Sequence, residues 1–115
     1  MIGIDIVSIK RIEKSINKFG HKAKNRFMTI NEQNSAKKIS SIAGIWASKE
    51  AFSKAIGTGI GSEFSFLDIE ILKDKKGKPY INIINPNLKQ KLQNKKIDVS
   101  ITHDGGFAIS AIIIL

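Results

Sequence analysis

The sequence has no cysteine among its 115 residues. Disulfides, thiolate nucleophiles and cysteine-based zinc sites are therefore excluded. His21 and His103 are its two histidines, and alone they make a poor zinc site. No apolar run approaches the roughly 20 residues that a bilayer requires. The longest, Ala108 to Leu115, is broken by Ser110. The opening Met1-Ile2-Gly3-Ile4-Asp5 lacks the basic region of a secretory leader and carries an aspartate inside its apolar stretch. The cytoplasm is the expected address, with no membrane partner. Acidic residues are also scarce, 10 against 19 basic ones, for a net charge of +9. Such a surplus favours an anionic partner: nucleic acid, a phosphorylated ligand, an anionic membrane or an acidic protein. Charge does not choose among them, and a lysine-rich proteome would produce the same excess.

What remains patterns as one α+β domain over residues 1–115, with antiparallel-type strands packed against helices. Met1 to Ile9 alternates as a strand, with Ile2, Ile4 and Ile6 on one face and Gly3, Asp5 and Val7 on the other. Ile12, Ile16 and Phe19 then recur at helical spacing up to Gly20, and a basic loop follows with Lys22, Lys24 and Arg26. Thr29 and Glu32 form a capping box. It opens a helical region that runs to Ile56, with a break near Ser40 and Ser41, and in which Ala43, Ala47, Ala51 and Ala55 make a line of small residues suited to close packing. Phe66 to Lys73 and Pro79 to Ile84 read as a hairpin with Leu67, Ile69 and Ile71 on one face. Asn85-Pro86 starts a short basic helix. Two closing strands flank the turn His103-Asp104-Gly105-Gly106, the last of them central or in a subunit interface.

Few residues invite chemistry. Asp5 is a carboxylate among apolar neighbours, costly without a partner. It is either a helix-capping aspartate or a metal ligand or base. Glu50, Ser53, Lys54 and Gly57 share one helix face. Glu50 and Lys54 can be an ordinary ion pair, or the carboxylate can hold a magnesium ion while the ammonium meets phosphate. Magnesium takes one or two protein carboxylates and completes its shell with water and substrate phosphates. Gly57-Thr58-Gly59-Ile60-Gly61 stops the helix and could bring backbone N–H groups to a phosphate, but it is neither a P-loop nor a GxGxxG fingerprint. A basic module that binds RNA or DNA without catalysis is the alternative. It would need exposed aromatics among its basic residues, whereas the spacing of Phe19, Trp46 and Phe52 buries them.

In their order along the chain these pieces resemble the bacterial holo-acyl-carrier-protein synthases. Gly3-Ile4-Asp5-Ile6-Val7 with Arg11-Ile12 looks like the family's opening. Trp46-Ala47-Ser48-Lys49-Glu50-Ala51-Phe52-Ser53-Lys54-Ala55, followed by Gly57-Thr58-Gly59, resembles its central helix and loop. Asp68-Ile69-Glu70-Ile71 with Gly77-Lys78-Pro79-Tyr80 resembles its hairpin, and Val99-Ser100-Ile101-Thr102-His103 with Ala108 its closing strand pair. The resemblance implies a transferase that moves 4'-phosphopantetheine from coenzyme A to a serine of acyl carrier protein, in fatty acid biosynthesis. It implies a homotrimer with active sites between subunits. Asp5 and Glu50 would bind magnesium with the coenzyme A pyrophosphate, and Lys54 would meet phosphate. Ser53, Gly57, Thr58 and Gly59 would line the pocket, with His103 reaching the coenzyme from the adjacent subunit. Arg11, Lys14 and Lys18 would dock the acidic carrier. The general base would be Glu50 or a metal-bound water. Relatives that serve peptide or polyketide carriers are generally about twice this length. The family often has arginine and phenylalanine where this chain has Ile45-Trp46, so a basic phosphate contact is either missing or supplied by a lysine such as Lys49.

Overall fold

Alternation in the first residues becomes strand β1, Ile2–Ser8, and the structure, a computed structural model, describes residues 1–115. Ser8 caps helix α1, Ile9–Phe19, by accepting a hydrogen bond from the Arg11 N–H. Gly20, at φ 57°, ends α1 and opens α2, His21–Phe27. The expected basic loop is thus a helix, held by Ala23 and Phe27, one turn apart and both buried. Helix α3, Ile30–Ser35, begins with the expected Thr29–Glu32 capping box. The break before α4, Ile39–Ala55, falls at residues 36–38 and not at Ser40 and Ser41. Both serines lie in the first turn of α4, where unpaired backbone donors tolerate them.

A 3-10 turn, Phe66–Asp68, leads into β2, Ile69–Lys73, which pairs with β3, Pro79–Ile83. Leu67 therefore leaves the face it was expected to share with Ile69 and Ile71, and is exposed. Helix α5, Pro86–Lys91, is capped by Asn85. Strands β4, Ile97–Asp104, and β5, Phe107–Ile114, complete an antiparallel sheet of order β1-β5-β4. The almost wholly apolar β5 is central, as its composition suggested.

Helix α4 lies across this sheet, and its line of Ala43, Ala47, Ala51 and Ala55 is buried against it. The face of β1 turned to α4 is the one carrying Gly3, Asp5 and Val7. The isoleucines of the other face, Ile2, Ile4 and Ile6, are 72, 61 and 57% exposed. Ile113 of β5, paired with Ile2, extends this open apolar face. Phe52 is in the core, but Phe19 is 53% exposed at the end of α1 and Trp46 is only partly covered. The expectation that spacing buries all three aromatics fails for Phe19, which stands at the rim of a cleft between α1 and α2.

Candidate active site

Glycine sets the approach of α4 to β1. A Cβ on Gly3 would stand 1.9 Å from the Ala51 carbonyl oxygen and 2.7 Å from the Ala55 nitrogen. Only the missing side chain lets helix and strand backbones meet. Asp5 follows two residues on, on the same face of the strand, and so arrives beside the last turns of α4. There the Lys54 ammonium donates to Asp5 Oδ1 at 3.0 Å and to the Ile4 carbonyl at 3.1 Å. The Asp5 side chain is 15% exposed and that of Lys54 is 54% exposed. So open a pair contributes little to stability; its consequence is placement.

Glu50 lies one turn before Lys54. Its carboxyl is pushed above the ordinary glutamate range, first by burial and then by the charge of Asp5, while Lys54 and Arg11 pull it back. Four charged side chains, Asp5, Glu50, Lys54 and Arg11, therefore converge from β1, α1 and α4. Two carboxylates that repel each other beside a half-exposed lysine fit a dication. No third histidine or acidic group joins them to build an all-protein cage. That donor set suits magnesium, which leaves positions for phosphate oxygens.

The other candidates are placed differently. Ser53 is fully buried, and its hydroxyl donates to the Glu50 carbonyl at 2.6 Å. In the loop beyond, Gly57 and Gly59 have φ of 83° and 66°. The Thr58 and Gly59 N–H groups both donate to the Ser53 carbonyl, at 3.1 and 3.2 Å, and the Gly57 N–H donates to that of Lys54. Those three amides are engaged within the chain. His103, near the end of β4, lines a separate cleft of about 370 Å³ with Ser40, Ile45, Tyr80 and Ile101, whose walls include none of Asp5, Glu50 and Lys54.

Lys49 cannot supply the phosphate contact. It is fully buried, donating to Glu32 Oε1 at 2.7 Å and to the Phe27 carbonyl at 2.6 Å. Only the tertiary packing turns this lysine inward, in a helix most of whose residues are buried.

Arg11, Lys14 and Lys18 lie on α1, all exposed. Arg11 also borders a second cleft, of about 480 Å³, together with Lys22 and Arg26. Its apolar wall was not foreseen: Trp46 lies between Phe27 and Phe66, with ring centroids 5.2 and 4.7 Å away. Phe66 follows a glycine-rich loop, and sequence periodicity gave no sign that it would join Trp46.

The family model of the 4'-phosphopantetheinyl transferase superfamily matches residues 1–112. A holo-[acyl-carrier-protein] synthase of Nautilia profundicola is 60% identical over 115 residues, covering 100% of this chain and 99% of the relative. That of Campylobacter hominis is 53% identical over 120 residues, covering 99% and 96%. Among solved structures, the Helicobacter pylori holo-[acyl-carrier-protein] synthase in complex with coenzyme A is similar with a TM-score of 0.89 and 47% identity, covering 100% of both chains.

Proposed function

The chain belongs to the 4'-phosphopantetheinyl transferase superfamily, and on that premise we propose that it moves the 4'-phosphopantetheine group of coenzyme A onto a serine of apo acyl carrier protein. The products are holo acyl carrier protein and 3',5'-adenosine bisphosphate. The observation that carries this reading is the meeting of Asp5, Glu50 and Lys54 where α4 crosses β1.

The nucleophile comes from the carrier. Its serine oxygen bonds to the phosphorus that bears the pantetheine arm, and the bond from that phosphorus to the bridging oxygen breaks. Such chemistry rests on positioning and charge neutralisation. Asp5 and Glu50 would hold a magnesium ion, which when bound would polarise the pyrophosphate and offset the charge of the leaving group. Lys54, fixed at Asp5 yet half exposed, meets the pyrophosphate oxygens. Glu50 is also the group placed to take the serine proton. Ser53 acts from inside the helix by bonding to the Glu50 carbonyl, and the Gly57-Thr58-Gly59 turn borders the pocket. Arg11, Lys14 and Lys18 attract the acidic carrier.

The whole chain, residues 1–115, works as one transferase domain in the cytoplasm, serving fatty acid biosynthesis. It assembles as a homotrimer through the open isoleucine face of β1 and β5, which an isolated chain would leave in water. Assembly brings His103 of one subunit to coenzyme A held by the next.

The test is intact-mass spectrometry of apo acyl carrier protein incubated with the chain, coenzyme A and magnesium. The expected result is a gain of one phosphopantetheine group, abolished by EDTA. A carrier of unchanged mass, with a folded enzyme and a cognate carrier, would overturn the reading.

A further inference from the structure

Lys49, Glu50 and Ala51 are consecutive, yet each meets a different part of the molecule. Ala51 is pressed against Gly3. Glu50 sits within the fields of Asp5, Lys54 and Arg11. The Lys49 ammonium is 2.7 Å from Glu32 Oε1 and 2.6 Å from the carbonyl of Phe27, the last residue of α2. Both members of this ion pair are fully buried. Glu32 also accepts from the Thr29 N–H at 2.9 Å and from the Ile71 N–H of β2 at 2.7 Å. Thr29 donates in turn to buried Glu70, which the Asn82 amide also meets at 3.0 Å. One buried network thus ties α2, α3, α4, β2 and β3.

A buried ion pair is weak evidence for stability, since well-packed uncharged residues often replace it at no cost. What it supplies is direction. Gly3 sets how closely α4 lies on β1, and the buried hydrogen bond from Ser48 to Ser110 of β5, at 2.8 Å, holds the sheet-facing side of the helix. The charged tether on the next face around the axis adds a second fixed point against rotation. The same ammonium holds the end of α2, whose Phe27 ring packs on Trp46 in the wall of the basic cleft.

We propose that the buried Lys49–Glu32 pair is a positioning element of the transfer reaction: it holds α4 in the rotation that aims Glu50 at Asp5, and it fixes the α2 wall of the basic cleft that Arg11 borders in the same act. This rests on the function proposed above. Neither residue touches substrate; both act through Glu50 and Phe27.

The variant to make is Lys49→Met with Glu32→Gln. It removes both charges and leaves a glutamine oxygen for one of the two backbone N–H groups that Glu32 serves, so the other loses its acceptor. Lys49→Met alone strands a buried carboxylate and is expected to unfold readily. The double variant is expected to melt above Lys49→Met alone and below the parent. Measured well below its melting midpoint, its kcat should stay about 10- to 100-fold low, as small misplacements cost in positioned reactions, and KM for the carrier should rise. The fluorescence of Trp46, the only tryptophan, should shift to the red and quench more easily with acrylamide. Full turnover and an unchanged Trp46 spectrum in the folded double variant would overturn the proposal and make the pair merely structural. Should the double variant not fold, Glu32→Gln alone is judged by the same two readouts. An inactive parent chain would count against the proposed function instead, while Trp46 would still report whether the pair holds the wall.

Discussion

Gly3 and Ala51 touch through their backbones: no side chain larger than hydrogen fits at Gly3, where a Cβ would lie 1.9 Å from the Ala51 carbonyl oxygen. This contact is what sets Asp5 beside Lys54. Gly3→Ala must push α4 off β1, and overpacking of this kind costs about 1–3 kcal/mol, more where backbone is struck. Urea unfolding should show at least that loss, and transfer activity should fall further than stability does, because the Asp5–Lys54 distance opens.

Removing either carboxylate should separate chemistry from folding. Asp5→Ala and Glu50→Gln are expected to fold, since neither side chain is a core group, and to lose turnover by roughly 100-fold or more. Calorimetry should find coenzyme A binding no longer strengthened by magnesium. Normal turnover by either folded variant would sink the assignment.

The raised pKa of Glu50 makes a prediction whose sign can be worked out. A carboxyl harder to ionise when folded contributes stability that is complete below its unfolded pKa and is lost as the pH rises through its folded value. The window opens at the ordinary value of 4.5 and extends upward. Without magnesium, Glu50→Gln, which cannot ionise, should therefore be more stable than the parent near neutral pH and equal to it in acid. Magnesium should raise the parent's melting midpoint and leave the variant's unchanged. A parent that is the more stable of the two at neutral pH would contradict this.

The isoleucine face of β1 predicts assembly. Ile4 is already 61% exposed, so Ile4→Lys should spare the fold of the single chain. Sedimentation velocity should show a trimer for the parent and a monomer for the variant, with activity lost. Mixing Asp5→Ala chains with His103→Ala chains should restore part of the activity, because some mixed interfaces pair an intact Asp5 with an intact His103. No restoration, with exchange of subunits demonstrated, would place both residues in one subunit's site.

Carrier docking by charge is tested by reversal. Lys14→Glu and Lys18→Glu should each raise KM for the carrier severalfold while leaving KM for coenzyme A alone. The difference should shrink as salt is added, since such attraction is screened over about 8–10 Å. Equal effects at low and high salt would argue for a packing role of these side chains instead.

Local chemistry in the sequence determined a great deal here. Alternation marked the strands, the Thr29–Glu32 box and the Asn85-Pro86 pair marked helix starts, and helical spacing set Glu50 and Lys54 one turn apart. The loop assigned to α2 was missed because its apolar pair, Ala23 and Phe27, is short and sits among basic residues. Tertiary structure decided the rest. Alternation separates the two faces of β1 but does not say which one the chain's own helix covers. The glycine-bearing face is chosen because only it admits α4 so closely, and the bulkier isoleucines are left outside. Lys54 meets a partner 49 residues away and Lys49 one 17 residues away. Two lysines on one helix end with opposite fates. One turns into the buried network at Glu32 and the other reaches, half exposed, to Asp5, because each direction is set by segments that only folding brings together.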